Sequence, residues 1–63
     1  MKATDLVVGK KYWCGWAHRQ ARFVKIRTKT RFGETSQVAV FQDICDCFIE
    51  CDVEYIDKWV KEV

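Results

Sequence analysis

Ala21-Arg22-Phe23-Val24-Lys25-Ile26-Arg27-Thr28-Lys29-Thr30, then Arg31-Phe32-Gly33, then Glu34-Thr35-Ser36-Gln37-Val38-Ala39-Val40-Phe41, is the stretch whose reading decides the fold of this chain. Both runs are rich in β-branched and aromatic residues alternating with charged or polar ones, and a glycine separates them, as in a β-hairpin. A three-residue loop Arg31-Phe32-Gly33, a type I turn closed by a left-handed residue, puts glycine where positive φ is needed. In that register Thr30 opposes Glu34, Thr28 opposes Ser36, Ile26 opposes Val38 and Val24 opposes Val40. The second face sets Phe23 against Phe41, Lys25 against Ala39, Arg27 against Gln37 and Lys29 against Thr35. Val24, Ile26, Val38 and Val40 are then predicted to hold the fold together, with the cations on the opposite side. A two-residue loop Phe32-Gly33 opposes Lys25 with Val40 and Arg27 with Val38, mixing charge into the aliphatic face, so the three-residue loop is preferred.

Outward from the hairpin, Thr4-Asp5-Leu6 marks a turn, and Gly9 precedes a short aromatic strand, Tyr12-Trp13-Cys14, which Gly15 ends. Trp16-Ala17-His18-Arg19 is a predicted loop, whose tryptophan must fold back over the core or meet a partner. Beyond Phe41, an acidic turn from Asp43 to Asp46 leads into a predicted strand from Cys47 to Cys51, with Phe48 and Ile49 both expected to be buried. Val53, Ile56, Val60 and Val63 share helical spacing, but the segment is short and β-branched. One helical turn over Val53 to Asp57 and a closing strand from Lys58 to Glu62 are expected.

With 63 residues and no proline, repeat or linker, the chain reads as one domain over 1–63. Nine aromatics supply enough apolar area for a core without an obligatory metal or disulfide. No run is long enough to span a membrane and the first residues lack a signal-peptide core, so a cytoplasmic protein with reduced thiols is expected. Charge is lopsided. Residues 1–31 hold nine Lys/Arg and one acid, whereas residues 32–63 hold two Lys and eight acids, which permits one positive and one negative face.

The order of elements, a strand after Gly9-Lys10-Lys11-Tyr12, a loop, a long hairpin, a fourth strand, a helical turn and a closing strand, resembles that of SH3-like barrels. Leu6 to Tyr12 (Leu-x-x-Gly-Lys-x-Tyr), Ala21-Arg22-Phe23-Val24, Val40-Phe41-Gln42-Asp43 and Val53-Glu54-Tyr55-Ile56 resemble the small SH3-like proteins encoded by tailed bacteriophages. The resemblance spans nearly the whole chain. It implies a mainly β, small five-stranded SH3-like barrel with one short helical turn near the C-terminus, used for binding in the host cytoplasm, and it brings no catalytic residues.

Four candidate sites follow from residue chemistry. Cys14, Cys45, Cys47 and Cys51 lack paired Cys-x-x-Cys knuckles; on a strand Cys45, Cys47 and Cys51 would share a face, but small apolar packing is the expected role, and no metal or other cofactor is expected. His18 has no nucleophile near it in sequence, so no enzymatic activity is expected. Asp43, Asp46, Glu50, Asp52, Glu54 and Asp57 form an acidic tract without EF-hand spacing, which could dock a basic partner. The strongest signal is the basic strand: Lys25, Arg27, Lys29 and Arg31 alternate about 7 Å apart on one side, near the spacing of successive phosphates. Phe32 stands at the turn, with Trp16, Arg19 and Arg22 as further candidates near it. Such a row also keeps a sheet soluble. The expected function is non-enzymatic binding of nucleic acid or another polyanion through Trp16, Arg19, Lys25, Arg27, Lys29, Arg31 and Phe32. The alternative is a phage-encoded protein-interaction module acting on a host protein.

Overall fold

Val24 is where the hairpin departs from its expected register. A computed structural model describes all 63 residues and contains strands β1 (Lys11–Cys14), β2 (Arg19–Arg31), β3 (Glu34–Gln42), β4 (Phe48–Asp52) and β5 (Val60–Glu62). In β2 and β3, Phe23 pairs with Phe41, but Lys25 pairs with Val40, Ile26 with Ala39, Arg27 with Val38 and Arg31 with Glu34, with a register shift between Phe23 and Lys25. The loop therefore has two residues, Phe32 and Gly33, and the three-residue loop is corrected.

The reason lies in the phase of the hydrophobic alternation. Ala21 and Phe23 are apolar at odd positions, whereas Lys25, Arg27, Lys29 and Arg31 are cationic at odd positions. A regular strand would put all six on one face. One extra residue in β2 opposite β3, a β-bulge, flips the phase. Phe23 stays inside and the cations turn outward.

The valines also move. The core gathers Tyr12 and Cys14 from β1, Ala21 and Phe23 from β2, Ala39 and Phe41 from β3, Cys51 from β4, and Ile56 and Val60. Val38 and Val40 are buried but lie outside that cluster, on the opposite face, flanked by Arg27 and Lys25 of β2 and by Asp52 and Glu50 of β4. Arg27 reaches across β3 to bond Glu50, and long side chains of this kind cover apolar surface with their aliphatic stems. Charge and valine thus share one face without conflict. Ile26, expected inside, is 38% exposed, because the core ends beneath it.

All five strands are antiparallel in one sheet of order β4-β3-β2-β1-β5, which leaves β4 and β5 as edges. The sheet bends around a single core to which both edge strands contribute, through Cys51 and Val60. Burial pushes the Cys14 thiol up to about 11, and Cys51 is near enough to add to the shift, although two strands separate β1 from β4 in the sheet. Phe41 is the hub: Tyr12, Trp16 and Phe23 meet it edge-on, with centroids at 6.3, 5.9 and 5.6 Å.

The C-terminal segment is more helical than expected. A 3₁₀ turn, Val53–Tyr55, runs into helix α1, Ile56–Trp59, and β5 is correspondingly shorter than the expected Lys58 to Glu62 strand. Ile56 and Val60 are both fully buried, four residues apart on one side of a helical turn. Phe48, expected inside, is 63% exposed; it pairs with Gln42 on the outer face, while Ile49, opposite Phe41, packs on the core.

Candidate nucleic-acid interface

Beyond Arg27 and Val38 the hairpin outruns both of its neighbours. β1 pairs with β2 only from Arg19 to Arg22, and β4 pairs with β3 only from Val38 to Gln42. Residues 28–31 and 34–37 therefore form a two-stranded ribbon that contributes nothing to the main core, in a molecule with extents of 35 × 24 × 19 Å, whereas Lys25, Ile26 and Arg27 still face β3 residues that β4 pairs.

Cross-strand partners point to the same side, so the hairpin has two unlike faces. One carries Lys25, Arg27, Lys29 and Arg31, opposite Val40, Val38, Ser36 and Glu34. The other carries Thr28 and Thr30 opposite Gln37 and Thr35 and holds no charge. The cationic row predicted from sequence is present, with unequal members. Arg27 is engaged with Glu50, whose carboxyl is held below its usual range by that bond. Lys25, Lys29 and Arg31 take part in none of the four ion pairs, which are Met1 with Asp57, Lys10 with Glu62, Arg19 with Asp43, and Arg27 with Glu50.

The same register adds further cations to this face. Arg22 lies on the outer face with Lys25, because the bulge removes the parity difference between positions 22 and 25. Lys11 pairs with Arg22, Trp13 with Gln20, and Lys61 with Trp13, so these side chains emerge on the same surface. The outer face thus runs as one cationic band from Lys61 through Lys11 and Arg22 to Arg31, with Trp13 set within it. The signal for Arg22 was the phase change after Phe23; for Lys61 there was none, since β5 reaches β1 only through tertiary folding.

Two expected members do not belong to this surface. Trp16 is folded against Phe41 and packs on the core. Arg19 lies at the far end of β2, where its Nη1 donates to Oδ2 of Asp43 at 2.6 Å. Asp43 is buried, and its Oδ1 accepts the backbone N–H groups of Cys45 and Cys47 at 2.8 and 3.0 Å. The Arg19 bond first, then these backbone bonds, hold its carboxyl below the ordinary value. Arg19 therefore braces the β3–β4 turn. The acidic tract is divided in the same way: Asp43, Glu50 and Asp57 each have a cationic partner. Cys45 and Cys47 are exposed in that turn, before the strand begins, while Cys14 and Cys51 are buried. The three cysteines do not share a strand face.

Phe32 sits at the tip, 98% exposed, with φ of 52°, followed by Gly33 at 78°. Two successive positive φ values form the type I′ hairpin turn, which favours Asn-Gly. A left-handed conformation costs a side chain such as phenylalanine about 1–2 kcal/mol, and its ring is left in water besides. Phe32→Asn is accordingly expected to stabilise the fold by about 1 kcal/mol, a rise of roughly 4–8 °C in Tm for a domain of this size. A thermal melt at or below that of the parent would show that Phe32 carries no such strain. No protein-family model, curated protein or solved structure matches this chain, so its functional reading rests on this geometry.

Proposed function

We propose that the chain is a non-enzymatic SH3-like module that binds nucleic acid through the cationic outer face of its sheet and ribbon, mainly by phosphate contacts and with little sequence specificity. The observation that carries this reading is the alignment of Lys25, Lys29 and Arg31, none of them in an ion pair, along a strand that continues past the core. Cations placed in line on an extended strand match a phosphate backbone, and the release of counterions drives association. Trp13, 36% exposed among Lys11, Arg22 and Lys61, adds a surface on which a base can stack. The SH3-like assignment is supported by the strand order β4-β3-β2-β1-β5 and by the 3₁₀ turn between β4 and β5. A phage-encoded protein working in a host cytoplasm accords with the resemblance in sequence.

Binding to a labelled 20-base-pair duplex, followed by fluorescence anisotropy over a salt series, tests the proposal. The logarithm of affinity should fall linearly with the logarithm of salt, and replacing Lys25, Lys29 and Arg31 together by alanine should reduce the slope by about three. Absence of binding at low salt, or an unchanged slope in the triple variant, would overturn the assignment.

One observation favours a second reading. Ile44 and Phe48 are exposed apolar residues at the β3–β4 end, on or beside an edge strand, and such residues serve protein contacts. A phage-encoded interaction module would bind its host protein there or along the hairpin. Salt-insensitive binding to one host protein that Phe48→Ser abolishes would favour it.

A further inference from the structure

The phosphate contacts proposed above leave Phe32 without a role, yet it is the costliest side chain in the ribbon to place. It is the one apolar residue between Arg27 and Gln37, it is almost wholly exposed, and it occupies a left-handed position that asparagine or glycine would fill without strain. Backbone strain of this kind concentrates where a side chain has work to do. A hydrophobic contact with a protein would call for an apolar patch, but the neighbours of Phe32 are threonines, cations, Gly33 and Glu34.

We infer that Phe32 is a wedge that inserts between stacked base pairs of duplex DNA, with the ribbon as the arm that delivers it. The inference rests on the nucleic-acid reading and adds the form of the ligand. Three features of the geometry point to a duplex. A two-stranded ribbon, with strands about 5 Å apart, is narrow enough to enter the roughly 12 Å major groove. Lys29 and Arg31 lie one to three residues behind the tip, within about 10 Å along the strand, where they reach the phosphates that flank the inserted ring. The ring itself projects from a turn, with no concave floor around it. Single-strand binders instead lay bases on aromatics set within a groove. Apolar wedges that minor-groove binders drive into a base step unstack it and kink the duplex; here the ring enters from the major-groove side, where the uncharged Thr28, Thr30, Thr35 and Gln37 face offers hydroxyl and amide groups to base edges beside the step.

The experiment compares two 20-base-pair duplexes at one low salt concentration, one perfectly paired and one with a central two-nucleotide bulge that is already unstacked. The parent protein should bind the bulged duplex about tenfold more tightly, because less stacking must be disrupted. Phe32→Asn, which keeps the turn, should abolish that preference and keep the parent's salt dependence on the perfect duplex, since the phosphate contacts remain. Equal binding of both duplexes by the parent, retention of the preference in Phe32→Asn, or tighter binding of the corresponding single strand would overturn the wedge and leave the phosphate reading standing. Failure to bind any of the three would overturn both.

Discussion

Phe41→Ala should leave the chain without a cooperative fold. Phe41 is fully buried and its ring is the common neighbour of Tyr12, Trp16 and Phe23. Truncating a buried phenylalanine costs about 3–5 kcal/mol through lost transfer energy and the cavity left behind, and each edge-on aromatic pair adds about 0.5–1.5 kcal/mol. A domain of this length has a total stability of about 3–9 kcal/mol. The loss is therefore of the size of the whole, and no other large side chain stands ready to fill the gap in a core this small. Circular dichroism of Phe41→Ala should show no sigmoidal melt and a near-ultraviolet signal close to zero. A cooperative transition within 10 °C of the parent would mean that the core does not depend on this ring.

Ile56→Ala should cost about 2–5 kcal/mol and act first on the C-terminus. Ile56 is the buried residue of α1, a helix of four residues, far shorter than any helix stable by itself. Only packing holds it. β5, three residues long, pairs with β1 alone, and its Val60 follows the helix directly into the core. Losing the isoleucine thus loosens α1 and β5 together and bares the edge of β1, whose unpaired backbone groups can then recruit another chain. With a urea dependence near 1 kcal/mol per molar for a small domain, the midpoint should fall by roughly 2 M or more. Ile56→Val, at about 0.5–1.5 kcal/mol, is the graded control. A midpoint shift below 0.5 M in the alanine variant would show that the segment is not anchored by this side chain.

Much of the fold is legible along the chain because it depends on local alternation. Tyr12 to Cys14 and the hairpin announce themselves by β-branched and aromatic residues between glycines, and the helical spacing of Ile56 and Val60 marks the last turn. The hairpin register was harder. A three-residue loop satisfied every pair except in one respect, that it asked Phe23 and Lys25 to share a face. That conflict was the visible trace of the bulge, and a regular pairing rule had no means of absorbing it. Exposure was harder still. Whether Phe48 or Ile49 points inward depends on the register of β4 against β3, and whether Val38 is covered depends on Arg27 reaching Glu50 across a strand.

The candidate interface divides along the same line. Lys25, Lys29, Arg31 and Phe32 stand out because alternation alone puts the cations in a row and the ring at the turn. Trp16, just before β2, and Arg19, at its start, looked like neighbours of that row because they are close to it in sequence. In space Trp16 caps the core and Arg19 serves Asp43, since sequence proximity across a bend and a bulge says nothing about facing. Trp13 and Lys61 join the surface through β1 and β5, a pairing of residues that lie at opposite ends of the chain.

The ribbon beyond Val38 is joined to the domain by pairing with itself alone. Its length is thus a free variable: adding or deleting one residue on each strand beyond Thr28 and Gln37 changes the reach by about 3.3 Å and reverses the facing of everything nearer the tip, whereas changing two on each restores it. Reach can therefore evolve in steps of roughly 7 Å while every core residue stays where it is, so that the distance over which this molecule touches its ligand is uncoupled from the stability of the domain that holds it.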